Sequence, residues 1–350
     1  MRVQVKKVTI RDVSEKAGVS ATTVSMILNN KPELRVSSQT RQKVLQAAEE
    51  LGYKKSSKKS GHVSNLIGLI VPTLNNPFFT NLISSVEMHA RANGYNVILC
   101  NTERKAGNEI PFIQSLIKHN VDGIILALTP TDPGYIVEAS RIVPIIVVGE
   151  TNINNNLITI GLDSYKAGEI AAEHLYSLGH RAIAYLTTPI GNVSLSRRRR
   201  LEGIKDYYRK RGFGNSIYVY EGKDEYESQE AYEIELGSVL TRKMLQDKKD
   251  ITAVVIVGDL MAPGIYHTLE EHGLKIPRDI SVIGFDNNFI TKFLNPRLTT
   301  IEHFLDARAK LAIEQIISII NGSQEGEMLY SVEITPKLIV RESTGPRKDR

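Results

Sequence analysis

Three carboxylates each follow an apolar run: Asp163 after ITIGL, Asp259 after VVIVG and Asp286 after SVIGF. In sheets of parallel strands, ligands collect beyond the carboxyl ends of the strands, so each is a candidate contact. A carboxylate accepts from several hydroxyls, which suits a hydroxyl-rich ligand. The competing role at a strand end is to cap the next helix, and Asp259 in VGDLM is also open to that reading. Asn76, Phe78 and Phe79 stand where the run IGLIVPTLNN gives way to a helix. A Phe ring there is suited to stack on a sugar face, with one ring expected in the core and one facing the cleft. Catalytic and metal chemistry lack such support. The 8 His form no HExxH or paired metal-ligand spacing, and no GxSxG, P-loop or GxGxxG run occurs. No catalytic residue, metal or cofactor is expected, and the chain does not read as an enzyme. Its single cysteine, Cys100, ends the strand-like NVILC and is expected to be a buried structural thiol.

A second chemistry lies at the other end of the chain. Val8 to Leu28, VTIRDVSEKAGVSATTVSMIL, reads as a helix, a tight turn and a second helix. Thr9 and Asp12 suit a capping box. Ile10, Val13 and Ala17 share one apolar face. Gly18 allows the left-handed turn, Ser20 caps the next helix, and Val24 and Leu28 restore an apolar stripe. This is a helix-turn-helix pattern, whose second helix is of the kind that enters a DNA major groove; an ordinary pair of packed helices is the alternative. Charge favours DNA. Residues 1–65 hold 13 Lys+Arg and 5 Asp+Glu, a net of +8, against −3 for the remaining 285 residues. A basic head gains affinity from counterions released by each phosphate it neutralises.

The elements that must position these residues follow. Ser37 opens a third helix, SSQTRQKVLQAAEELGY, which completes a head over residues 1–53. Residues 54–65, KKSSKKSGHVSN, have the composition of a flexible basic linker. Lys54, Lys55, Lys58 and Lys59 either track DNA phosphates as a salt-sensitive tether or form a plain solvated spacer. From Leu66 strands and helices alternate in two successive runs, predicting an α/β core over 66–343 with two parallel-sheet subdomains. The late elements, LTTI, a helix from about Leu305 to Asn321 and a strand pair around Ser331–Arg341, are expected to complete both subdomains. The chain is expected to cross between them near 161–164, 287–300 and 322–330. No apolar run reaches the roughly 18 residues of a membrane span, and no signal-peptide core follows the basic start, so no membrane partner and a cytoplasmic location are expected.

The chain resembles the lactose-repressor (LacI/GalR) family of bacterial transcription regulators from about Thr9 to Ser343. The resemblance is carried by TIRDVSEKAGVSATTVSMILN, IGLIVPTLNNPFF, VDGIIL, AAEHLYSLGH, RLEG, VGDLMAPG, ISVIGFDN and PRLTTI, all in family order. It implies a periplasmic-binding-protein-like core holding a small effector, most simply a sugar, and a homodimer whose two heads bind a near-palindromic operator. A protein corepressor or a nucleobase-type ligand is the alternative effector. With no heptad tail after the last strand, a dimer is expected rather than a tetramer. The resemblance assigns base-edge contacts to Ala21, Thr22 and Met26, and phosphate or nearby contacts to Ile10, Ser20, Thr23, Ser25, Asn29, Ser37 and Thr40. It makes Arg200, just before Leu201-Glu202-Gly203, the arginine that clamps the effector, with Arg197 to Arg199 as solvated neighbours rather than a nucleic-acid patch. Two departures stand out. Met26 replaces an arginine common in the family, so the operator is expected to differ at that base pair. After Gly52 and Tyr53 the linker lacks the Pro-Asn, Ala and Leu of a hinge helix and is about three residues shorter.

Overall fold

A computed structural model describes residues 8–28, 36–51, 53, 64–151, 156–190, 195–223, 231–247, 249–322 and 331–347. The chain divides into two compact units, Met1–His62 and Val63–Arg350.

In the first unit three helices, α1 (Ile10–Ala17), α2 (Ala21–Leu28) and α3 (Ser38–Glu50), close on Val13, Val24, Ile27, Val44, Ala47 and Ala48. Local chemistry sets each boundary. Thr9 and Asp12 form the reciprocal capping box, with Asp12 Oδ2 accepting from the Thr9 N–H at 2.6 Å. Gly18 ends α1 at φ 66°, a left-handed conformation that needs no side chain, and its N–H donates to the Ser14 carbonyl. Ser20 and Ser37 cap α2 and α3, each hydroxyl accepting an N–H three residues on at 3.1 Å. Asn29 and the lysines at 54, 55, 58 and 59 lie outside the described residues.

The second unit holds two six-stranded sheets. In chain order the first takes β1 (Leu66–Val71), β2 (Asn96–Asn101), β3 (Gly123–Leu126), β4 (Ile145–Gly149), β5 (Ile158–Leu162) and β11 (Ser331–Ile334), in spatial order β11-β5-β4-β3-β1-β2. The second takes β6 (Ile183–Thr187), β7 (Ile217–Glu221), β8 (Ala253–Ile256), β9 (Ser281–Asp286), β10 (Thr299–Glu302) and β12 (Lys337–Ile339), in the order β12-β10-β9-β8-β6-β7. All pairs are parallel except β10 with β12. Central strands such as β3 and β8 are buried along their whole length, as strands covered on both faces must be. Strand β2 is an edge, so Cys100 is half-buried rather than buried, and that burial raises its thiol pKa.

Two of the three expected crossings are corrected. The first falls at Asp163, between β5 and α7 (Ser164–Ser177). The second falls at His303–Phe304, not within 287–300. Strand β10 pairs with β9, Thr299 opposite Ile283, so everything up to Glu302 stays in the second sheet. Only then does α11 (Leu305–Ile320) return to the first, burying Ala309, Ala312, Ile313 and Ile316 against its strands. The third falls at 335–336, not 322–330, because Ser331–Ile334 pairs with β5. The expected strand pair around Ser331–Arg341 is therefore two strands in different sheets. Pairing partners far apart in sequence decide this, and local pattern does not carry them.

The second sheet is strapped by residues 343–347, and His180 fastens the strap. One ring nitrogen meets Thr252 Oγ1 at 2.9 Å and the other the Gly345 carbonyl at 3.0 Å, a pairing that neutral imidazole satisfies. Burial pushes the His180 pKa down from 6.5 to about 4. Above pH 6.5 both folded and unfolded forms are neutral and stability is full. As pH falls towards 4 the unfolded chain takes up a proton that the folded one refuses, costing roughly 3 kcal/mol at about 1.4 kcal/mol per pH unit. Melting temperature is expected to fall across that window, and less steeply in His180→Gln. Parallel slopes for the two proteins would contradict the assignment.

Candidate functional site

Between the two sheets of the second unit lies a cleft of about 510 Å³. Its walls come from strand ends, as expected. Asn76 follows β1 and caps α4 (Pro77–Ala92), its Oδ1 accepting from the Phe78 N–H at 2.8 Å. Pro77 fixes the start of that helix, which turns both Phe78 and Phe79 to the cleft. The expectation of one core ring and one cleft-facing ring is thus corrected. The two rings meet edge to face at 5.0 Å, and Phe78 meets His303 in the same way at 5.4 Å.

Arg200 is buried in the second turn of α8 (Leu195–Arg209). Its Nη1 donates to the Val257 carbonyl at 2.7 Å and its guanidinium lies 4.7 Å over the Phe285 ring, while its buried Nε has no protein partner. In the same arginine run, Arg199 reaches Glu150 at 4.0 Å and Arg197 donates to the Pro189 carbonyl, leaving only Arg198 exposed. The run is therefore no nucleic-acid patch, and two of the three neighbours are not the solvated residues expected.

The three carboxylates separate. Asp286 faces the cleft from the end of β9, with its backbone at φ 124°, a conformation non-glycine residues rarely hold and one that clusters at ligand sites. Burial raises its pKa; Arg200 works against this and Glu233 with it. Asp163 is corrected. Its Oδ1 accepts the Lys166 N–H at 2.9 Å as the N-cap of α7, and it does not line the cleft. Asp259 is corrected likewise. It is fully buried behind the cleft, accepting from the Asn288 N–H at 3.1 Å and Thr300 Oγ1 at 2.8 Å, and burial raises its pKa well above the usual carboxylate range. It shapes the floor that carries Asp286, whose Oδ2 accepts the Asp259 N–H at 3.3 Å.

Sequence reasoning missed several cleft residues, among them Glu150, Arg308, His303 and Glu233. Glu150, after β4, accepts from the Ser164 hydroxyl across the first crossing, and its other oxygen is buried without a hydrogen bond. Arg308 of α11 donates to the Gly149 carbonyl at 3.1 Å and also keeps an orphaned Nε; burial pushes its pKa down to about 10. His303 sits in the second crossing with Nε2 unpartnered, and burial holds it neutral with Arg200 and Arg308 adding to the effect. Glu233, in the first turn of α9 (Tyr232–Gln246), reaches Asn76 from the opposite wall. The signal for Glu150 was its place after PIIVVG. His303 and Arg308 had none, because the crossing was placed upstream of them. Five basic residues (Arg104, Lys105, Arg197, Arg200, Arg308) face five acidic ones (Glu103, Glu109, Glu150, Glu233, Asp286) around the cleft. Orphaned buried donors and acceptors of this kind are costly until a ligand meets them.

On the head, α2 turns Ala21 and Thr22 outward, with Thr23, Ser25 and Met26 half-exposed beside them. Ser20, Thr23, Ser37 and Thr40 cluster as two capping pairs at helix N-termini, where backbone N–H groups favour anions. Ile10 is half-buried, packed against the head core. Among the described residues no three His, Cys, Asp or Glu side chains gather as a metal site, and no helix is long and apolar enough to cross a membrane.

A helix-turn-helix head joined to a two-sheet core with a polar cleft between the sheets defines a ligand-responsive DNA-binding regulator. Residues 9–56 match the bacterial regulatory proteins of the lacI family, and residues 172–344 match the periplasmic binding protein-like domain. The HTH-type transcriptional repressor PurR of Haemophilus influenzae is 31% identical over 342 residues, covering 96% of this chain and 98% of the relative. The ribose operon repressor of Halalkalibacterium halodurans is also 31% identical, over 96% and 97% of the two chains. Among solved structures, a periplasmic binding protein/LacI transcriptional regulator from Alkaliphilus metalliredigens complexed with D-xylulofuranose superposes with a TM-score of 0.70 at 32% identity, over 80% of this chain and 99% of that one. The lac repressor dimer bound to operator gives 0.70 at 26% identity, over 97% and 100%. The chain belongs to the LacI family of bacterial transcription regulators.

Proposed function

We propose that the protein is a homodimeric repressor whose operator affinity is set by an uncharged sugar held between Arg200, Asp286, Glu150, Arg308 and the Phe78–Phe79 pair. One observation carries this reading. The cleft presents donors and acceptors without hydrogen bonds from both walls, the Arg200 and Arg308 Nε atoms and Glu150 Oε2 (with Arg199 Nε at 4.0 Å), while basic and acidic side chains are equal in number around it. A neutral polyol satisfies both signs at once, whereas a phosphate or a polyamine leaves one uncompensated. Ring faces beside such groups suit the apolar face of a sugar. The similarity to a ribose operon repressor and to a xylulose complex supports the same class. Contacts reaching both walls favour the closed cleft, and closure changes the spacing of the two heads across the dimer. Phe289 and Phe293, 58% and 82% exposed on the second subdomain, are apolar surface that pairing covers. The site of action is the cytoplasm, the role is not enzymatic, and Lys54, Lys55, Lys58 and Lys59 are assigned to DNA phosphates. A thermal-shift panel of sugars, sugar phosphates, polyols and nucleobases tests the effector. A neutral sugar at 100 times its dissociation constant is expected to add about 2.7 kcal/mol. Stabilisation by nucleobases alone would replace this reading.

Each head is assigned to one half of a near-palindromic operator, with Ala21, Thr22 and Met26 at base edges, and Ser20, Thr23, Ser25, Ser37, Thr40, Asn29 and Ile10 at or near phosphates. A methionine cannot give the two parallel hydrogen bonds by which arginine reads guanine O6 and N7; it offers only apolar contact, as with a thymine methyl. Met26→Arg is expected to bring a guanine preference to one position of half-sites selected from a random library. An unchanged selection would exclude Met26 from base readout.

A further inference from the structure

Glu233 and its partners sit at the end of the cleft farthest from the crossings. The crossings leave from β5, β10 and β11, which lie at or next to one edge of each sheet. Asn76 follows β1 and Arg104 follows β2, at the opposite edge of the first sheet, and α9 follows β7, the opposite edge of the second. There the Glu233 carboxylate crosses the cleft. Its Oε1 accepts from Asn76 Nδ2 at 2.8 Å and lies 3.7 Å from Arg104 Nη2. Both ends are sheltered, the Arg104 and Glu233 side chains being 17% and 11% exposed.

The donor side is built rather than incidental. Glu103 and Arg104 are consecutive left-handed residues, at φ 53° and 56°. Their turn is tied to the end of β1, the Thr102 N–H donating to the Val71 carbonyl and the Arg104 N–H to the Pro72 carbonyl. Asn76 is held by its own capping bond to Phe78. An amide N–H and a guanidinium aimed at one point form a donor set for an anion.

We propose that Asn76 and Arg104 form an anion subsite that the protein fills with its own Glu233 carboxylate, so that Glu233 is a specificity-determining residue that excludes acidic and phosphorylated sugars. This rests on the reading of the cleft as a sugar site and deepens it. A ligand phosphate brought to this corner meets a carboxylate already hydrogen-bonded to Asn76 and ion-paired with Arg104. An uncharged sugar does not compete for them, and the carboxylate meanwhile links the two walls at the edge where no chain connection does so.

The test uses the full-length chain with inorganic phosphate and ribose 5-phosphate as probes, followed by calorimetry and thermal shift at matched ionic strength. The parent is expected to show no saturable response to phosphate. Glu233→Ala is expected to gain saturable phosphate binding and at least a tenfold rise in affinity for ribose 5-phosphate. Adding Arg104→Ala is expected to remove the gain. Glu233→Gln removes the charge with little change of shape, and is expected to give a smaller gain in the same direction even if the alanine variant folds poorly. Identical phosphate responses in the parent and both variants would overturn the proposal, as would a parent that binds ribose 5-phosphate as well as any neutral sugar. A parent that ignores neutral sugars, with phosphate binding still gained in Glu233→Ala, would remove the sugar reading and leave the subsite standing.

Discussion

Arg200→Ala is expected to weaken effector binding by at least about 100-fold and to uncouple operator affinity from the effector. Two losses combine. The first is direct: a guanidinium anchored on the Val257 carbonyl and stacked over Phe285 presents its remaining donors in a fixed plane. Each hydrogen bond from such a charged group is worth about 1.5–3 kcal/mol, and two or more are available. The second is indirect. Arg200 is the opposite charge that favours ionised Asp286, whereas Glu233 opposes it. Without Arg200 the buried Asp286 carboxyl shifts further towards its protonated form, and an acceptor for a ligand hydroxyl becomes a competing donor. Arg200→Lys is expected to restore little, because a single ammonium cannot keep the Val257 contact and address a ligand together. Titration calorimetry and operator release by the effector measure both arms. An affinity within threefold of the parent would remove Arg200 from the site.

Gly168→Ala is the second large expected effect, at a residue outside the cleft lining. Helices α7 and α8 cross backbone to backbone. A Cβ at Gly168 would lie 2.0 Å from the Arg200 carbonyl oxygen, and one at Gly203 would lie 2.1 Å from the Tyr165 carbonyl oxygen. The obstacles are backbone atoms, so no side-chain rotation relieves them, and the helices must separate by more than an ångström. Overpacking of this kind costs about 3 kcal/mol, or a fall of roughly 4–5 °C in melting temperature at this size. The residue pushed is Arg200 itself. Effector affinity is therefore expected to fall too, since a displacement of about 1 Å costs on the order of 100-fold where geometry is demanding. Thermal melting and calorimetry on the same preparation separate the two effects. Unchanged melting would mean that the crossing is looser than the distances imply.

Much of this was legible along the chain because it is local. A capping box needs only Thr9 and Asp12, a left-handed turn needs only Gly18, and a doubly covered strand shows itself as LIGLIV. Asp286 and Arg200 could be placed at a strand end and on a helix for the same reason. Asp163 and Asp259 show where local reading stops. All three aspartates end or follow strands, yet one caps a helix at the surface, one is buried beneath the floor and one faces the cleft. A strand end admits all three fates, and the packing around each strand end selects among them.

The family, the head and the alternation of strands and helices were determined by the sequence alone, since each is written in contiguous residues whose spacing is itself the signal. The tertiary structure decided what depends on residues far apart. Pairing of β10 with β9 and of β11 with β5 set the crossings, and so brought His303 and Arg308 into the cleft. The approach of two walls set Glu233 against Asn76, 157 positions away. Such contacts arise from the closing of a sheet and a cleft, and no periodicity in the chain announces them.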